Sequence, residues 1–137
     1  MKRSAKAVWK GTVKDGSGVL TTQSTTLDET QYSFKSRFEE GVGTNPEELL
    51  AAAHAGCFTM KTSALLTEAG YNPETLETDC KISLVDGKIT LSELTLTAKI
   101  PGISEDDFQK IAKDAKENCP VSQAFSFEKT LTATLVS

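Results

Sequence analysis

The chain has 137 residues, of which 38% are hydrophobic and 25% charged, and this balance predicts one globular domain over residues 1–137 with an ordinary core. Its net charge is −4 and it has no dense basic run to neutralise phosphates, so nucleic acid is not an expected partner. No stretch approaches the roughly 20 apolar residues that span a bilayer, and no apolar signal segment follows the basic N-terminus. We therefore expect no membrane partner and a cytoplasmic location.

The first forty residues have the pattern of strands and hairpins. Residues 6–13 and 19–22 are rich in β-branched side chains and flank a turn at Asp15-Gly-Ser-Gly18. Residues 31–38 alternate apolar and polar side chains, which is typical of a half-buried strand. The simplest interpretation is a meander.

A long helix is predicted from Pro46 to Ala69. Asn45 can cap it, and Pro46 suits the first helical position because its missing N–H is not needed there. Glu48 stands three residues after the cap, as in a capping box, and Gly70 is suited to the C-terminal end. The middle of the helix is rich in alanine, so another backbone could approach it closely.

The second half of the chain alternates strands and a helix. Two strands, at residues 76–85 and 88–100, flank the tight turn Asp86-Gly87, which favours a hairpin. A second helix begins at Ser104 and stops before Cys119, and residues 124–136 resemble a last strand. The predicted fold class is α+β, with antiparallel β-strands packed on two helices.

Three cysteines, Cys57, Cys80 and Cys119, are too few and too widely spaced for a secreted disulfide framework. They form no C-x-x-C pair, so we expect no metal site. Cys57 lies about 18 Å along its helix, where the dipole no longer acts, so a reactive thiolate there needs a nearby cation. The alternative is that Cys57 is a small apolar residue in a packed helix.

Cys119 stands at a helix exit beside Pro120, where its side chain can be presented to another element. If Cys57 is oxidised to a sulfenic acid, a second thiol close by would condense with it and prevent irreversible over-oxidation. Nothing local shows that Cys57 and Cys119 meet. Cys80 lies inside a predicted strand, and we interpret it as structural.

Only two of the fifteen basic residues are arginines. Arg37 precedes the loop that leads into the long helix, and it could supply the planar cation that a thiolate and a peroxide oxygen would both use. The alternative is a surface arginine paired with Glu39 or Glu40.

His54 lies three residues before Cys57 and therefore on nearly the same helix face. An imidazole there could deprotonate the thiol in an acyl hydrolase, which would turn over esters without a reductant. No obvious third residue orients the ring. A second alternative is a non-catalytic dimeric binding protein, in which neither cysteine reacts rapidly with peroxide.

Two motifs together closely resemble the OsmC/Ohr family of hydroperoxide reductases. They are GTNPEELLAAAHAGCF at residues 43–58 and NCPVS at residues 118–122. The segment YSFKSRF at residues 32–38 is similar to the OsmC branch, and the order of elements matches over essentially the whole chain. The resemblance implies an OsmC-like fold and an intertwined homodimer with its sites at the interface.

The resemblance also implies a cysteine-based peroxidase with peroxidatic Cys57, resolving Cys119, and a site completed by Arg37 and Glu47. Such an enzyme reduces organic hydroperoxides and hydrogen peroxide through a Cys57 sulfenic acid and a Cys57–Cys119 disulfide. A small dithiol such as dihydrolipoamide reopens the disulfide, and no cofactor is required. In the Ohr branch the arginine comes from an earlier segment that this chain does not reproduce. Cys80 matches no family position and stays outside the site.

Helix arithmetic separates Glu47 from Cys57 within one chain. Ten residues of helix amount to about 15 Å of rise and about 80° of rotation. A second copy of the helix, packed antiparallel across a two-fold axis, would bring Glu47 of one chain toward Cys57 of the other. We therefore expect a composite site, with Glu47 holding an arginine near the cysteine of the opposite subunit.

Overall fold

The computed structural model describes residues 1–137, which form two compact units, Met1–Leu49 and Leu50–Ser137. The boundary between the units falls near the start of the longest helix, α2 (Pro46–Glu68). Strands and helices are both present in quantity, so the expected α+β class is confirmed. The assignment of residues 1–137 to one domain stays a prediction.

The first unit is built on a three-stranded antiparallel sheet in which each strand pairs with the next along the chain. The expected meander is thus observed. On this sheet the Trp9 ring meets the Tyr32 ring edge-on at 5.4 Å between centroids. The elements are β1 (Ala5–Lys10), β2 (Ser17–Thr22), β3 (Thr30–Tyr32) and a short helix, α1 (Phe34–Phe38).

The strand expected at residues 31–38 is wrong beyond Tyr32, because residues 34–38 form α1. The cause is a capping box. Ser33 Oγ accepts a hydrogen bond from the Ser36 backbone N–H at 3.2 Å, and Ser36 Oγ accepts one from the Ser33 N–H at 2.7 Å. These two bonds satisfy free donors at the helix start. This local capping outweighs the alternation of apolar and polar side chains.

The start of α2 is capped as the sequence predicts. Asn45 Oδ1 accepts a hydrogen bond from the Glu48 backbone N–H at 2.8 Å. The Glu48 side chain, however, does not complete a capping box, because its carboxylate accepts a hydrogen bond from the Thr44 hydroxyl at 2.6 Å. Beyond the C-terminal end, Gly70 has φ +90°, the left-handed conformation in which glycine costs little.

By length and composition alone, α2 could cross a membrane. The sequence-based exclusion of such a stretch was therefore too strong. The observation is weak evidence for a membrane span, because the core helix of a soluble protein can have the same composition. Four residues of α2 are buried within the chain: His54, Phe58, Thr62 and Leu66.

The second unit contains a three-stranded sheet in the order β4-β5-β6. At the β4–β5 hairpin, Asp86 and Gly87 both have positive φ, 49° and 75°, as a tight primed turn requires. The remaining elements are β4 (Thr75–Val85), β5 (Lys88–Lys99), α3 (Glu105–Asn118), α4 (Pro120–Ala124) and β6 (Glu128–Val136).

The last strand differs from the expected antiparallel arrangement. β6 pairs with β5 in parallel, from Leu91 opposite Glu128 to Lys99 opposite Val136. A parallel partner needs a crossover of a dozen or more residues, and α3 with α4 supplies it. This crossover also fixes the position of Cys119, which lies between the two helices.

The core of the second unit lies between the sheet and the helices. On β5 every second residue from Ser92 to Ala98 is buried, and α3 contributes Phe108, Ala112 and Ala115, as its sequence pattern predicts. Phe58 and Leu66 of α2 are fully buried in the same cluster. Ser92 is the polar member of the buried strand face, so its hydroxyl requires a partner inside the core.

Candidate active site

Cys57 and Cys119 meet in the second unit. Cys57 is half-buried on α2, while Cys119 is fully buried at the junction of α3 and α4. Both are free thiols, and the Cys57 thiol interacts with the Cys119 thiol and with the backbone of Val121 in α4. The structure therefore brings together the two cysteines that sequence reasoning alone could not pair.

The surroundings of Cys57 favour its protonated form. Burial raises the pKa of the Cys57 thiol above its usual value, and the neighbouring Cys119 raises that pKa further. A hydrogen bond from the Val121 backbone and the charge of Lys61 lower it, but the net direction is upward. Within this unit Cys57 thus lacks the strong cation that a reactive thiolate requires.

Arg37 and Glu47 meet in the first unit. Arg37 Nε donates to Glu47 Oε1 at 2.9 Å, and Arg37 Nη2 donates to the same oxygen at 2.8 Å. The Glu47 side chain is 12% exposed and the Arg37 side chain 40%. Arg37 therefore pairs with Glu47, and not with Glu39 or Glu40, the partners weighed from sequence.

An apolar pocket lies beside Arg37 in the same unit. Its volume is about 200 Å³, and Phe38 packs under the guanidinium with 5.1 Å from Cζ to the ring centroid. The pocket joins one charged group to an aromatic wall, a combination that suits a ligand with one polar and one apolar end. Its lining is Trp9, Val13, Tyr32, Ser33, Phe34, Arg37 and Phe38.

His54 is fully buried and bonded at both ring nitrogens. Nδ1 lies 2.6 Å from Ser92 Oγ, and Nε2 lies 2.7 Å from Ser122 Oγ. Burial lowers the pKa of His54, and the positive charge of Lys129 lowers it further. With both nitrogens engaged by serines, the ring is not directed at Cys57, so the geometry does not support the acyl hydrolase.

Sequence reasoning missed Ser92 and Ser122. Ser122 belongs to the NCPVS motif and Ser92 to the buried face of a strand, but nothing in either segment indicates that both reach one histidine. Cys80 lies in its predicted strand, and its Sγ is 3.2 Å from Ser92 Oγ. It is therefore linked to the histidine through Ser92.

Comparisons with known proteins identify the family of this chain. A family model described as OsmC-like protein matches residues 39–134. Peroxiredoxin OsmC of Escherichia coli is 41% identical over 133 residues, which cover 94% of this chain and 93% of that protein. Organic hydroperoxide resistance protein-like 1 of Staphylococcus saprophyticus is 31% identical over 86 residues, 60% of this chain and 61% of that protein.

Solved structures share the fold at low sequence identity. An OsmC-like protein of Mycoplasma pneumoniae superposes with a TM-score of 0.79 at 14% identity, over 100% of this chain and 99% of that one. The organic hydroperoxide resistance protein OhrB of Bacillus subtilis gives a TM-score of 0.63 at 23% identity, over 97% and 98%. Given the family match and the 41% identity to a peroxiredoxin, this chain belongs to the family of OsmC-like proteins and is an enzyme of the peroxiredoxin type.

Proposed function

We propose that this protein reduces organic hydroperoxides, and hydrogen peroxide, through a two-cysteine cycle. The observation that supports this proposal best is that the Cys57 and Cys119 thiols lie close enough to interact inside one unit, where Cys57 packs against the core cluster that contains Cys119. Cys57 is half-buried and Cys119 is fully buried. The more accessible sulfur is thus suited to meet peroxide, and the protected one to resolve the product.

In the first step the Cys57 thiolate attacks one oxygen of the hydroperoxide. The O–O bond breaks, Cys57 becomes a sulfenic acid, and the leaving alkoxide takes a proton from solvent to become an alcohol. In the second step Cys119 attacks the Cys57 sulfur, the S–O bond breaks, and water leaves with formation of the disulfide. An external dithiol then reopens the disulfide by two exchanges and is itself oxidised.

Arg37 supplies the cation in this proposal. A guanidinium beside Cys57 would favour the thiolate and would stabilise the charge that develops on the peroxide oxygens. Glu47 binds Nε and Nη2 and so fixes the guanidinium plane, while Nη1 makes no hydrogen bond within the chain. Nη1 remains free to bind peroxide. Because α2 separates Glu47 from Cys57 by about 15 Å, we assign the two pairs to one site formed by opposite subunits of a homodimer.

The apolar pocket beside Arg37 supports organic hydroperoxides as the preferred substrates. With about 200 Å³ of space and five apolar side chains in its lining, it can remove the organic group of a substrate from water. Hydrogen peroxide has no such group and gains nothing from the pocket. The gain should appear as a lower KM for substrates with a bulky apolar group.

The burial of Cys119 bears on the reductant. In a Cys57–Cys119 disulfide the sulfur of Cys119 would be shielded, so attack must reach the Cys57 side. A small dithiol such as dihydrolipoamide can reach that sulfur and then complete the second exchange without a further encounter. We therefore propose a small dithiol as the reductant.

Rapid-mixing oxidation of the reduced protein by cumene hydroperoxide, followed by thiol counting, tests the two-cysteine cycle. Wild-type protein should lose two of its three thiols, and Cys80→Ser, the matched control, should lose both of its two. Cys57→Ser should lose none on the same timescale. Rapid multiple turnover by Cys57→Ser with a dithiol would contradict the proposal.

A further inference from the structure

A continuous row of buried polar groups runs from Cys119 into the core of the second unit. Cys119 Sγ lies 3.1 Å from Ser122 Oγ, and Ser122 Oγ lies 2.7 Å from His54 Nε2. On the other side of the ring, Nδ1 lies 2.6 Å from Ser92 Oγ, which is 3.2 Å from Cys80 Sγ. Every group in this row has a partner, and four of the five are fully buried or nearly so.

The hydrogen bonds of the row can be given one direction. The Cys119 thiol donates to Ser122 Oγ, which leaves the Ser122 hydroxyl hydrogen for His54 Nε2. Nε2 is then the acceptor nitrogen of a neutral ring, and Nδ1–H donates to Ser92 Oγ. His54 Nε2 can therefore act as a base toward the Cys119 thiol. The two groups are connected by the Ser122 hydroxyl, which accepts a hydrogen bond from the thiol and donates one to Nε2.

The resolving step requires such an acceptor. Cys119 must lose its proton to become the nucleophile, yet its burial excludes the water that would otherwise take the proton. Of the groups hydrogen-bonded to Cys119 Sγ, the Ser122 backbone N–H can only donate, at 3.4 Å, whereas the Ser122 hydroxyl can pass a proton on. The row offers the path that the step needs.

We propose that Ser122 and His54 accept the proton of Cys119 when this thiol attacks the Cys57 sulfenic acid. This inference rests on the two-cysteine cycle proposed above. The proton moves from Cys119 Sγ to Ser122 Oγ while the Ser122 proton moves to His54 Nε2. The S–S bond forms, the S–O bond of Cys57 breaks, and the leaving hydroxide takes a proton from solvent to become water. His54 holds the proton while the disulfide lasts, and it returns the proton through Ser122 when the dithiol releases Cys119 as a thiolate.

The groups that face His54 explain why it is free to accept the proton and why it gives the proton back to the Cys119 thiolate. Cys80 on β4, Ser92 on β5 and Ser122 on α4 are neutral, and Lys129 on β6 places a positive charge nearby. Burial, and then Lys129, lower the pKa of His54, so the ring is neutral and able to accept a proton at neutral pH. The same surroundings favour return of the proton to Cys119 once the disulfide is reopened. His54 acts here as a positioning residue, because it reaches the sulfur through Ser122.

Two variants and one control test the relay. Ser122→Ala removes the hydroxyl that touches the sulfur, and His54→Gln keeps a hydrogen-bond acceptor near Ser122 but removes the base. Thr62→Val is the control. It removes a buried hydroxyl on α2, which donates to Phe58 O at 2.8 Å and has no contact with the row. Rapid mixing with cumene hydroperoxide measures the loss of the Cys57 thiol, and timed trapping of the sulfenic acid measures the disulfide step.

We expect Ser122→Ala and His54→Gln each to slow the disulfide step by about tenfold or more, since general bases contribute about 10²–10⁴-fold. The first oxidation should stay within about twofold of wild type, and Thr62→Val should change neither step. In Ser122→Ala the disulfide step should also rise about tenfold per pH unit near pH 7–8, because hydroxide must then remove the proton.

A disulfide step within about twofold of wild type in His54→Gln would overturn the relay, because the glutamine keeps the hydrogen bond without the base. An unchanged rate of the disulfide step in Ser122→Ala would also overturn the relay. Failure of the two-cysteine cycle itself has a different signature, namely wild-type protein that keeps all three thiols after peroxide is added. The two failures are thus distinguishable in one set of measurements.

Discussion

Arg37 is fixed by Glu47 before any substrate arrives. Its guanidinium donates through Nε and Nη2 to one carboxylate, and Phe38 lies under its plane. The exposure of Arg37 weakens the pair as a source of stability, because solvent screens an ion pair at the surface. The geometry instead serves orientation: a planar fork held on one edge presents its other edge in a defined direction.

Arg37→Lys should therefore lower kcat/KM for cumene hydroperoxide by about tenfold or more while the protein keeps its fold. A lysine retains the charge but cannot bind Glu47 with two nitrogens in one plane. Steady-state kinetics with a dithiol measure the loss, and circular dichroism checks the fold. Arg3→Lys is the matched control, because Arg3 is the other arginine of the chain, and its rate should not change. A near-wild-type rate for Arg37→Lys would show that Arg37 is a surface residue without a role in catalysis.

Phe38→Ala should weaken the preference for substrates with an apolar group. Phe38 lines the pocket beside Arg37 although its side chain is 50% exposed, so its loss opens the pocket with little cost to the core. We expect KM for cumene hydroperoxide to rise about fivefold, consistent with about 1 kcal/mol of lost burial, and KM for hydrogen peroxide to change less. Val42→Ala, at an exposed residue outside the pocket lining, is the control. Equal changes for both substrates would place the organic group elsewhere.

His54 should make the stability of the protein depend on pH in a window that no other side chain occupies. The chain has one histidine, and its folded-state pKa is lowered by burial and by Lys129. Below its ordinary value of about 6.5 the unfolded state binds the proton more readily than the folded state. The free energy of unfolding is therefore highest above about pH 6.5 and falls as pH drops below it, by up to about 1.4 kcal/mol per unit.

Urea unfolding between about pH 5 and 7 measures this slope. His54→Gln should be less stable than wild type at pH 7, because Ser92 and Ser122 lose their fitted partner, but its stability should be nearly flat over that window. Carboxylates titrate mostly at lower pH and contribute little there. An equal slope in wild type and His54→Gln would show that the folded and unfolded states protonate His54 alike.

At the scale of elements, the approach to α2 depends on one close backbone contact. Thr44 N–H donates to Gln31 O at 2.9 Å, which ties the loop before α2 to β3. Gly43 has φ +105°, and a Cβ added to it would strike the Gln31 carbonyl. The glycine is therefore required both for its left-handed conformation and for the space that it leaves.

Gly43→Ala should lower the free energy of unfolding by at least about 3 kcal/mol, from left-handed strain and from overpacking against β3. Gly102→Ala is the matched control. It shares the positive φ, at 81°, but an added Cβ there would meet nothing within 4 Å, so its cost should be about 1–2 kcal/mol. Denaturant unfolding compares the two, and equal costs would show that the loop can move away from Gln31.

The elements that sequence predicts well are those with local causes. Asn45 caps α2 and Asp86-Gly87 turns the β4–β5 hairpin as expected, because capping and turn chemistry involve neighbours in the chain. The two wrong predictions arise where another interaction outweighs the pattern from which the element was predicted. Alternation predicted a strand at residues 31–38, but beyond Tyr32 the cap formed by Ser33 and Ser36 overrides it. The parallel pairing of β6 depends on the crossover through α3.

The candidate site was predictable as a set of residues but not as a geometry. The two motifs indicate Cys57, Cys119 and Glu47, and the segment at residues 32–38 indicates Arg37. The contacts of these residues depend on how distant segments pack. His54 reaches Ser92 across 38 residues and Ser122 across 68, and no local pattern encodes such pairs. Helix arithmetic separates Glu47 from Cys57, but it does not show that Arg37 binds Glu47.

At the scale of the whole molecule, one face of α2 remains uncovered within the chain. Ala53, Gly56, Met60 and Ala64 are exposed along it at helical spacing, with Met60 at 76%. Small side chains let another helix approach closely, and an apolar stripe of this length gains free energy when it is removed from water. A second copy of this chain can offer the same face, which is the arrangement of a two-fold homodimer.

Subunit mixing tests whether the two site pairs come from opposite chains of such a dimer. Cys57→Ser and Glu47→Ala should each be inactive as homodimers. In a mixed dimer, a composite site pairs the intact Cys57 of one chain with the intact Glu47 of the other, so about one working site should reappear. Cys57→Ser mixed with Cys119→Ser is the matched control, because both mutations then affect the same cysteine pair and no intact site can form.

Peroxidase activity is measured after exchange has been confirmed by mass spectrometry. Recovery in the first mixture alone supports the composite site, whereas no recovery in either mixture would place Glu47 and Cys57 in the site of one chain.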